Sequence, residues 1–447
     1  MKKAIVAGTG ISGINSARLL LEKGFEVTLF DENRGRDAAE ILKKTGGNAR
    51  VVLGSLSEED KDGALFCVMS PGINPRTAFA EDLRKKGIKC ISEIELAFEY
   101  EKGRVAAITG TNGKTTTTAL LGEICKSAGK QTIVAGNIGK AYTSEVTKSS
   151  PESISVLEVA GFHLETTEKF RPDVCAVLNI TPDHLDRFGT METYAAAKLR
   201  ITENQSATDV CVLNYEDERL REFAPGIKAK VLFFSSKREL PCGAFLRGNR
   251  IILRPGEGEI DFIGTDEMTL LGEHNYENVM AAVLMALSLG LDIDAVRRAV
   301  KTFKAVPHRI EFVREIDGVT YYNDSKGTNP DAAIKAILAM VRPTVLIAGG
   351  YDKHVGFDEW INACKGRVRK MIVIGESADQ IEETAKRHGL NCLARADSFE
   401  EAVEAAKKAA LPGDAVLLSP ACASWDMFDN YEQRGDYFKE LIGKNNG

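Results

Sequence analysis

The stretch VAAITGTNGKTTT, residues 105 to 117, restricts the fold more than any other part of the chain. An apolar strand feeds Gly110 and Gly113, and Lys114 and Thr115 then open a helix whose apolar residues include Leu120, Leu121 and Ile124. A loop of this kind turns backbone N–H groups, here including those of Thr111 and Asn112, toward phosphate oxygens. The lysine reaches the β and γ phosphates and the next hydroxyl ligates Mg²⁺. The longer form of this pattern has glycine where this chain has Ile108, so the loop is a shorter G-T-N-G-K-T variant. It predicts a triphosphate site in a mostly parallel sheet.

A second glycine-rich turn lies at the start, in AIVAGTGISG from residue 4 to 13. Gly8, Gly10 and Gly13 have the G-x-G-x-x-G spacing that admits a phosphate against a helix N-terminus. The strand Val27 to Phe30 ends in Asp31, at the distance that suits a ribose hydroxyl. By itself this predicts a Rossmann-type unit, and it leaves open whether the ligand is NAD or another pyrophosphate.

Short apolar strands alternate with helical stretches throughout, giving an α/β fold of three domains. The expected division is a Rossmann-like domain over 1–97, a central P-loop domain with a mostly parallel sheet over 98–306, and a C-terminal Rossmann-like domain over 307–447. A small antiparallel insertion is expected at 228–270. Two capping boxes are expected in the last domain, Ser377 with Gln380 and Ser398 with Glu401. A length of 447 residues suits three domains, and 44% hydrophobic with 27% charged residues suits a soluble enzyme. A net charge of −6 argues against a nucleic-acid partner. Nine cysteines without paired spacing argue against a zinc site or disulfide framework and for a cytoplasmic location. The apolar run from Asn278 is too short to span a bilayer, so no membrane insertion is expected.

Downstream of the phosphate loop, Glu158 ends one strand, and Asp183 and His184 follow another. Such positions face the crevice of an open parallel sheet, where metal and phosphate ligands belong. Lys198 lies in the helical TYAAAKLRI, where a lone lysine ordinarily belongs to a solvated face.

Taken with LGEHNYEN at 271, PHRIE at 307, YNDSKGTNPDA at 322, AGGYDK at 348 and LLSPACASWDMFDNYEQRG at 417, these motifs resemble the Mur ligase family across the whole chain. That family joins an amino acid to a UDP-muramoyl acceptor and hydrolyses ATP. The resemblance implies that Gly8, Gly13, Asp31 and Gly72 face the UDP end of the acceptor, and that Asn137 also contacts it. NAD is then not implied. It places Lys114, Thr115 and Thr116 on the phosphates and Asn275 and Asn278 at adenine. Arg309 and Asp324 fall on the rest of the nucleotide. Thr115, Glu158, His184 and a carbamylated Lys198 would serve two Mg²⁺ sites, with Lys114, His184 and Lys198 as the catalytic groups. Thr328, Lys353, Ser424 and Tyr431 would hold the incoming amino acid, for which dicarboxylic D-glutamate is expected. A monomer meeting only small-molecule substrates is the corresponding expectation.

The chain departs from the family after Glu158, where Ala160, Gly161, Phe162 and His163 stand in place of Ser-Ser-Phe-Gln. His163 is the candidate for a replacement polar group. In the last domain Asn329, Pro330 and Asp331 read as a helix start, His274 as a core histidine, and Trp425 and Phe428 as core aromatics.

Overall fold

The computed structural model describes the whole chain except Met1, Glu257, Ala305, Lys353, His354 and residues 444–447. The first sheet joins β1 (Lys2–Ala7), β2 (Phe25–Asp31), β3 (Arg50–Leu53), β4 (Ala64–Met69) and β5 (Lys89–Ser92), all parallel, in the order β3-β2-β1-β4-β5. The order reverses at β1, and the crevice above that reversal is where an open α/β sheet takes a ligand.

The second sheet has nine strands: β6 (Arg104–Thr109), β7 (Thr132–Gly136), β8 (Ile154–Glu158), β9 (Val174–Val177), β10 (Val210–Asn214), β11 (Lys230–Ser235), β12 (Gly243–Arg247), β13 (Arg250–Arg254) and β14 (Ile260–Gly264). Their order is β14-β13-β12-β11-β10-β9-β6-β8-β7, with β6 between strands that follow it in the chain on both sides. The strands from β7 through β12 pair in parallel, and only the β12-β13 and β13-β14 pairs are antiparallel. The segment expected as a small antiparallel insertion is antiparallel over β12 to β14, but β11 pairs in parallel on both sides and the segment extends the main sheet. Each strand edge left by its predecessor supplies the hydrogen-bonding partner of the next, so the ladder continues without a break.

The third sheet comprises β15 (Glu311–Ile316), β16 (Val319–Asn323), β17 (Thr344–Gly349), β18 (Val368–Ile374), β19 (Leu393–Arg395) and β20 (Ala415–Leu418), in the order β15-β16-β20-β17-β18-β19. Only the β15-β16 pair is antiparallel. All six residues of β17 are buried, as the unbroken apolar run TVLIAG requires of a strand covered on both faces. The chain separates into two compact units, one of 1–264 with 277–301 and one of 265–276 with 302–447. The first unit contains the first two sheets and the second contains the third.

Three local expectations are corrected. Ser377 precedes its helix but does not cap it, because its hydroxyl accepts from the Gly350 N–H at 3.1 Å and meets Cys422 Sγ at 3.1 Å. Ser398 does cap its helix, accepting from Glu401 N–H at 3.1 Å, although the Glu401 carboxylate returns to the N–H of Asp397 rather than of Ser398. Trp425 is not a core residue: it is 63% exposed, and its ring centroid lies 5.4 Å from that of Tyr351. Phe428 does pack edge-on against the buried Phe399 at 5.1 Å. Asn329 caps the helix Pro330–Ala339 by accepting from Ala332 N–H at 2.9 Å, with Pro330 at its first position.

Candidate active site

The phosphate loop joins β6 to the helix Lys114–Ser127, at the point where the second sheet changes direction. Gly110 and Gly113 adopt φ of 147° and 88°, a region that side chains rarely enter. A Cβ on Gly113 would also stand 2.3 Å from Asn278 Oδ1, so this glycine is required twice over. Asn278 accepts from Thr117 Oγ1 at 3.3 Å, which fixes it against the first turn of the helix. Thr116 is buried and Thr115 half-buried in that turn.

The loop is braced by a residue that the motif does not reveal. Asn179, two positions past β9, accepts from Asn112 N–H at 2.8 Å through its side chain and donates to the Asn112 carbonyl at 3.1 Å. Its own carbonyl accepts from Thr111 N–H at 2.9 Å, so the N–H groups of Thr111 and Asn112 are turned to Asn179 and not, as expected, toward a phosphate. Thr111 Oγ1 in turn donates to the Thr181 carbonyl at 3.1 Å and accepts from the Thr181 N–H at 3.0 Å. The segment leading to Asp183 and His184 is thus stitched to the phosphate loop. Only the spacing NITPDH, directly after a strand, could have marked Asn179 in the sequence.

Lys114 Nζ donates to the carbonyls of Gly110 at 3.0 Å and Thr111 at 2.9 Å, so its charge lies along the loop. Lys198 reaches the same Gly110 carbonyl at 2.9 Å. It is buried, with its ammonium 4.5 Å from the Tyr194 ring centroid. The solvated-face reading of this lysine is therefore overturned, because the helix Met191–Leu199 turns that side against the loop. Burial, and after it the positive charge of Lys114, pulls the Lys198 ammonium down to about 7. An amine that is half unprotonated near neutrality is a nucleophile.

Glu158 ends β8 and is buried. Its Oε1 accepts from Asn137 Nδ2 at 3.0 Å, and its Oε2 is buried without a hydrogen-bond partner. A desolvated carboxylate oxygen without a donor calls for a cation. His184 has φ of 51°, heads the short helix Leu185–Phe188, and lies 3.5 Å from Asp183 Oδ2. Among the described residues no three histidines, cysteines or carboxylates are grouped as a metal site.

The Ala160-Gly161-Phe162-His163 segment forms a short helical turn in which His163 Nδ1 accepts from Ala160 N–H at 3.2 Å. The imidazole replaces a polar side chain as a local cap. Burial pulls it down to about 4, so it stays neutral there. The nearest atoms to a Cβ on Gly161 would be those of Phe188, Lys198 and Ala197 at 3.5 to 3.9 Å, ordinary contact distance.

The opening glycine turn has a different character. A Cβ on Gly13 would lie 1.8 Å from the Gly8 carbonyl oxygen, and one on Gly8, at φ of 97°, would lie 2.5 Å from Ser70 Oγ. Gly72 faces open space. Asp31 Oδ2 accepts from Thr9 N–H at 3.1 Å and Thr9 Oγ1 at 2.5 Å, and Oδ1 accepts from Asn33 N–H at 3.0 Å. Burial works to raise its pKa, but these hydrogen bonds and Arg36 prevail and hold the carboxyl below its ordinary value.

In the second unit Arg309 stands between two residues of positive φ, His308 at 63° and Ile310 at 47°. Asp324 follows β16, and its Oδ1 and Oδ2 accept from Ile310 N–H at 3.2 Å and Ser419 Oγ at 2.7 Å. Burial outweighs these bonds and the charge of Arg309, pushing the carboxyl up to about 7. Burial likewise pulls His274 down to about 4, although the residue is half-buried and is not in the core as expected. Ser424 is buried, and Tyr431 opens the helix Tyr431–Gly443 with its carbonyl accepting from Ser325 Oγ at 2.8 Å. Asn275 is buried and donates to the Leu271 carbonyl at 2.8 Å, while Thr328 N–H donates to the Lys326 carbonyl at 2.9 Å. Lys353 lies outside the described residues.

Fold and site together define an ATP-dependent ligase built of three α/β domains, and the chain belongs to the Mur ligase family. The Mur ligase MurD-like N-terminal domain matches residues 2–92, the Mur ligase middle domain residues 108–286, and the Mur ligase glutamate ligase domain residues 308–422. The chain is 49% identical to the UDP-N-acetylmuramoylalanine--D-glutamate ligase of Lachnospira eligens, over 99% of this chain and 98% of that one. It is 48% identical, at the same coverage, to the ligase of that name from Lachnoclostridium phytofermentans. Among solved structures, the fold is similar to the UDP-N-acetylmuramate-alanine ligase MurC of Thermotoga maritima, with a TM-score of 0.61, 18% identity and 99% of each chain covered. A MurF ligase from Thermotoga maritima in complex with ADP gives a TM-score of 0.61 at 20% identity, covering 94% of this chain and 95% of that one.

Proposed function

We propose that this chain joins D-glutamate to UDP-N-acetylmuramoyl-L-alanine, converting ATP to ADP and phosphate, in the cytoplasmic assembly of peptidoglycan precursors. The observation that carries the reading is the full-length, near-50% identity to D-glutamate ligases, which extends through all three sheets. The phosphate loop and the unpartnered oxygen of Glu158 supply the chemistry this reaction needs.

In the first step an oxygen of the acceptor's alanyl carboxylate attacks the γ-phosphorus of ATP. The bond to the β–γ bridging oxygen breaks, and ADP leaves with the electron pair. The resulting acyl phosphate is attacked at its carbonyl carbon by the unprotonated amine of D-glutamate. A tetrahedral intermediate collapses to the amide and inorganic phosphate, and the amine's proton is lost. Charge on the transferred group is the main obstacle, and Lys114 supplies neutralising charge at the loop. Gly110, Gly113 and Thr116 cradle the phosphates, while Thr111 and Asn112, whose N–H groups donate to Asn179, hold the loop in shape; Asn275 and Asn278 meet adenine, and Arg309 and Asp324 meet the rest of the nucleotide.

Mg²⁺, when bound in two sites by Thr115, Glu158, His184 and a carbamate on Lys198, would withdraw electron density from the phosphate oxygens. The depressed Lys198 amine suits carbamate formation, in which nitrogen adds to the carbon of CO₂ and releases a proton. The product is an anion where an ammonium would repel a metal. Gly8, Gly13, Asp31 and Gly72 face the UDP end of the acceptor, and Asn137 its reacting end. Thr328, Lys353, Ser424 and Tyr431 hold D-glutamate.

The test is phosphate release measured with ATP, UDP-N-acetylmuramoyl-L-alanine and a panel of D- and L-amino acids. Release should require the acceptor and be fastest with D-glutamate. Preference for another amino acid, or release independent of the acceptor, would overturn the reading.

A further inference from the structure

Arg187 has no role in the reading above, yet it links the turn assigned to the UDP end of the acceptor with the segment that carries His184. It lies one helical turn past His184, whose carbonyl accepts from Arg187 N–H at 3.1 Å. Its guanidinium crosses from the second sheet's domain to the turn that follows β4. There it donates to the carbonyls of Pro71 at 2.6 Å and Ile73 at 3.3 Å. Glu165 anchors the same guanidinium, accepting from Nε at 3.1 Å and from a terminal nitrogen at 2.6 Å. The other oxygen of Glu165 accepts from Arg76 at 2.7 Å, which ties in the far end of the turn. Glu165 is only 5% exposed and Arg187 13%, so water competes little for these bonds.

The guanidinium carbon also lies over the Phe162 ring, 4.6 Å from its centroid, and Phe162 and His184 meet edge to face with centroids 4.8 Å apart. One side chain therefore spans from the Pro71–Ile73 backbone to the aromatic support of His184. All of these residues lie within one compact unit. A lysine has no fork to make these bonds together, so the arrangement depends on the planar guanidinium.

We propose that Arg187 is a positioning residue that fixes the acceptor-binding turn at a set span from the His184 segment. The inference rests on the reading that this turn faces the UDP end of the acceptor. An acceptor held at both ends presents its carboxylate to the γ-phosphate only if that span is kept, and a misplacement of about 1 Å is enough to cost about a hundredfold in rate. Arg187 then acts on the acceptor and on turnover, and leaves the nucleotide alone.

The experiment is steady-state kinetics of Arg187→Ala and Arg187→Lys, with KM resolved for acceptor, ATP and D-glutamate. The expected result for the alanine variant is an acceptor KM raised about 10- to 100-fold, the scale of losing hydrogen bonds from a charged donor. Its kcat should fall and its KM for ATP should stay within about twofold. Added guanidinium should restore part of the loss and ammonium should not. Arg187→Lys keeps the charge and most of the volume, so it tests the same parameters if the alanine variant does not fold. Acceptor KM and kcat close to wild type in a folded variant would overturn the inference. So would equal losses for ATP and acceptor without guanidinium rescue. Wild-type turnover that does not need the acceptor would instead overturn the functional reading, so the two failures are distinguishable.

Discussion

The chain contains two glycine-rich strand-to-helix turns of the same basic design, one after β1 and one after β6, and they are equipped for different work. Both lie where the strand order of their sheet reverses, and both have a glycine at positive φ, a conformation that lets backbone approach a phosphate. The first turn is built by close contact: Gly13 sits under the Gly8 carbonyl, and Asp31 is held by Thr9 and Asn33. The second is surrounded by charge, with Lys114 and Lys198 on one carbonyl. Glu158, with its unpartnered oxygen, ends the neighbouring strand. Shape suffices to bind a pyrophosphate that stays intact. Breaking a phosphate bond also demands groups that answer the charge developing in the transition state.

The largest effect that follows is on Lys114. Lys114→Ala should lower turnover by about 10² to 10³ fold, the scale of losing one preorganised donor, while acceptor binding to the first turn persists. Turnover assays with direct titration of UDP-N-acetylmuramoyl-L-alanine separate the two. A variant that keeps near-normal turnover would erase the contrast between reacting and binding turns.

The converse change is Gly13→Ala. Its Cβ has no space beside the Gly8 carbonyl, so the turn must open, at a cost of about 1 to 3 kcal/mol in stability. Acceptor affinity should fall and ATP affinity should not. Gly10→Ala supplies the control, because a Cβ at Gly10 meets nothing within 4 Å. Equal effects of the two substitutions, read by chemical denaturation and acceptor titration, would show that the first turn is not held by this contact.

Much of this contrast was legible in the sequence, since each turn is a local strand-glycine-helix pattern and β8 ends visibly in Glu158. What the sequence hid depends on partners far along the chain. Asn179 braces a loop some 67 residues earlier, and Arg187 reaches carbonyls 116 and 114 residues away. Lys198 looked like a surface lysine because helical periodicity in AAAKLRI does not show which face meets the phosphate loop. Ser377 has the spacing of a capping box, but its hydroxyl is taken by Gly350 and Cys422. The strands β12 to β14 read as an insertion because their turns are local, whereas their junction to β11 is a matter of sheet edge and register.

The finest distinction between the turns is in pH. Lys198 titrates near 7 when folded, against an ordinary value of 10.5. Between those values the unfolded chain holds a proton that the folded chain has released, so stability gains from this residue as pH rises through the window. Below about 7 both states are protonated, and the folded chain bears the full cost of the buried ammonium. Asp31 gives a slope of the same sign in a different range: its folded carboxyl is depressed, so its contribution is present above 3.8 and is lost only as pH falls through the lower, folded value. Lys198→Met should therefore remove a rise of at most one proton, about 1.4 kcal/mol per pH unit, between pH 7 and 9, whereas Asp31→Asn should leave that slope unchanged. Urea denaturation of the three proteins in CO₂-free buffer reads the slopes directly. A constant difference between wild type and Lys198→Met across the range would mean the amine is not depressed, and the second turn would lose the reactive nitrogen that sets it apart from the first.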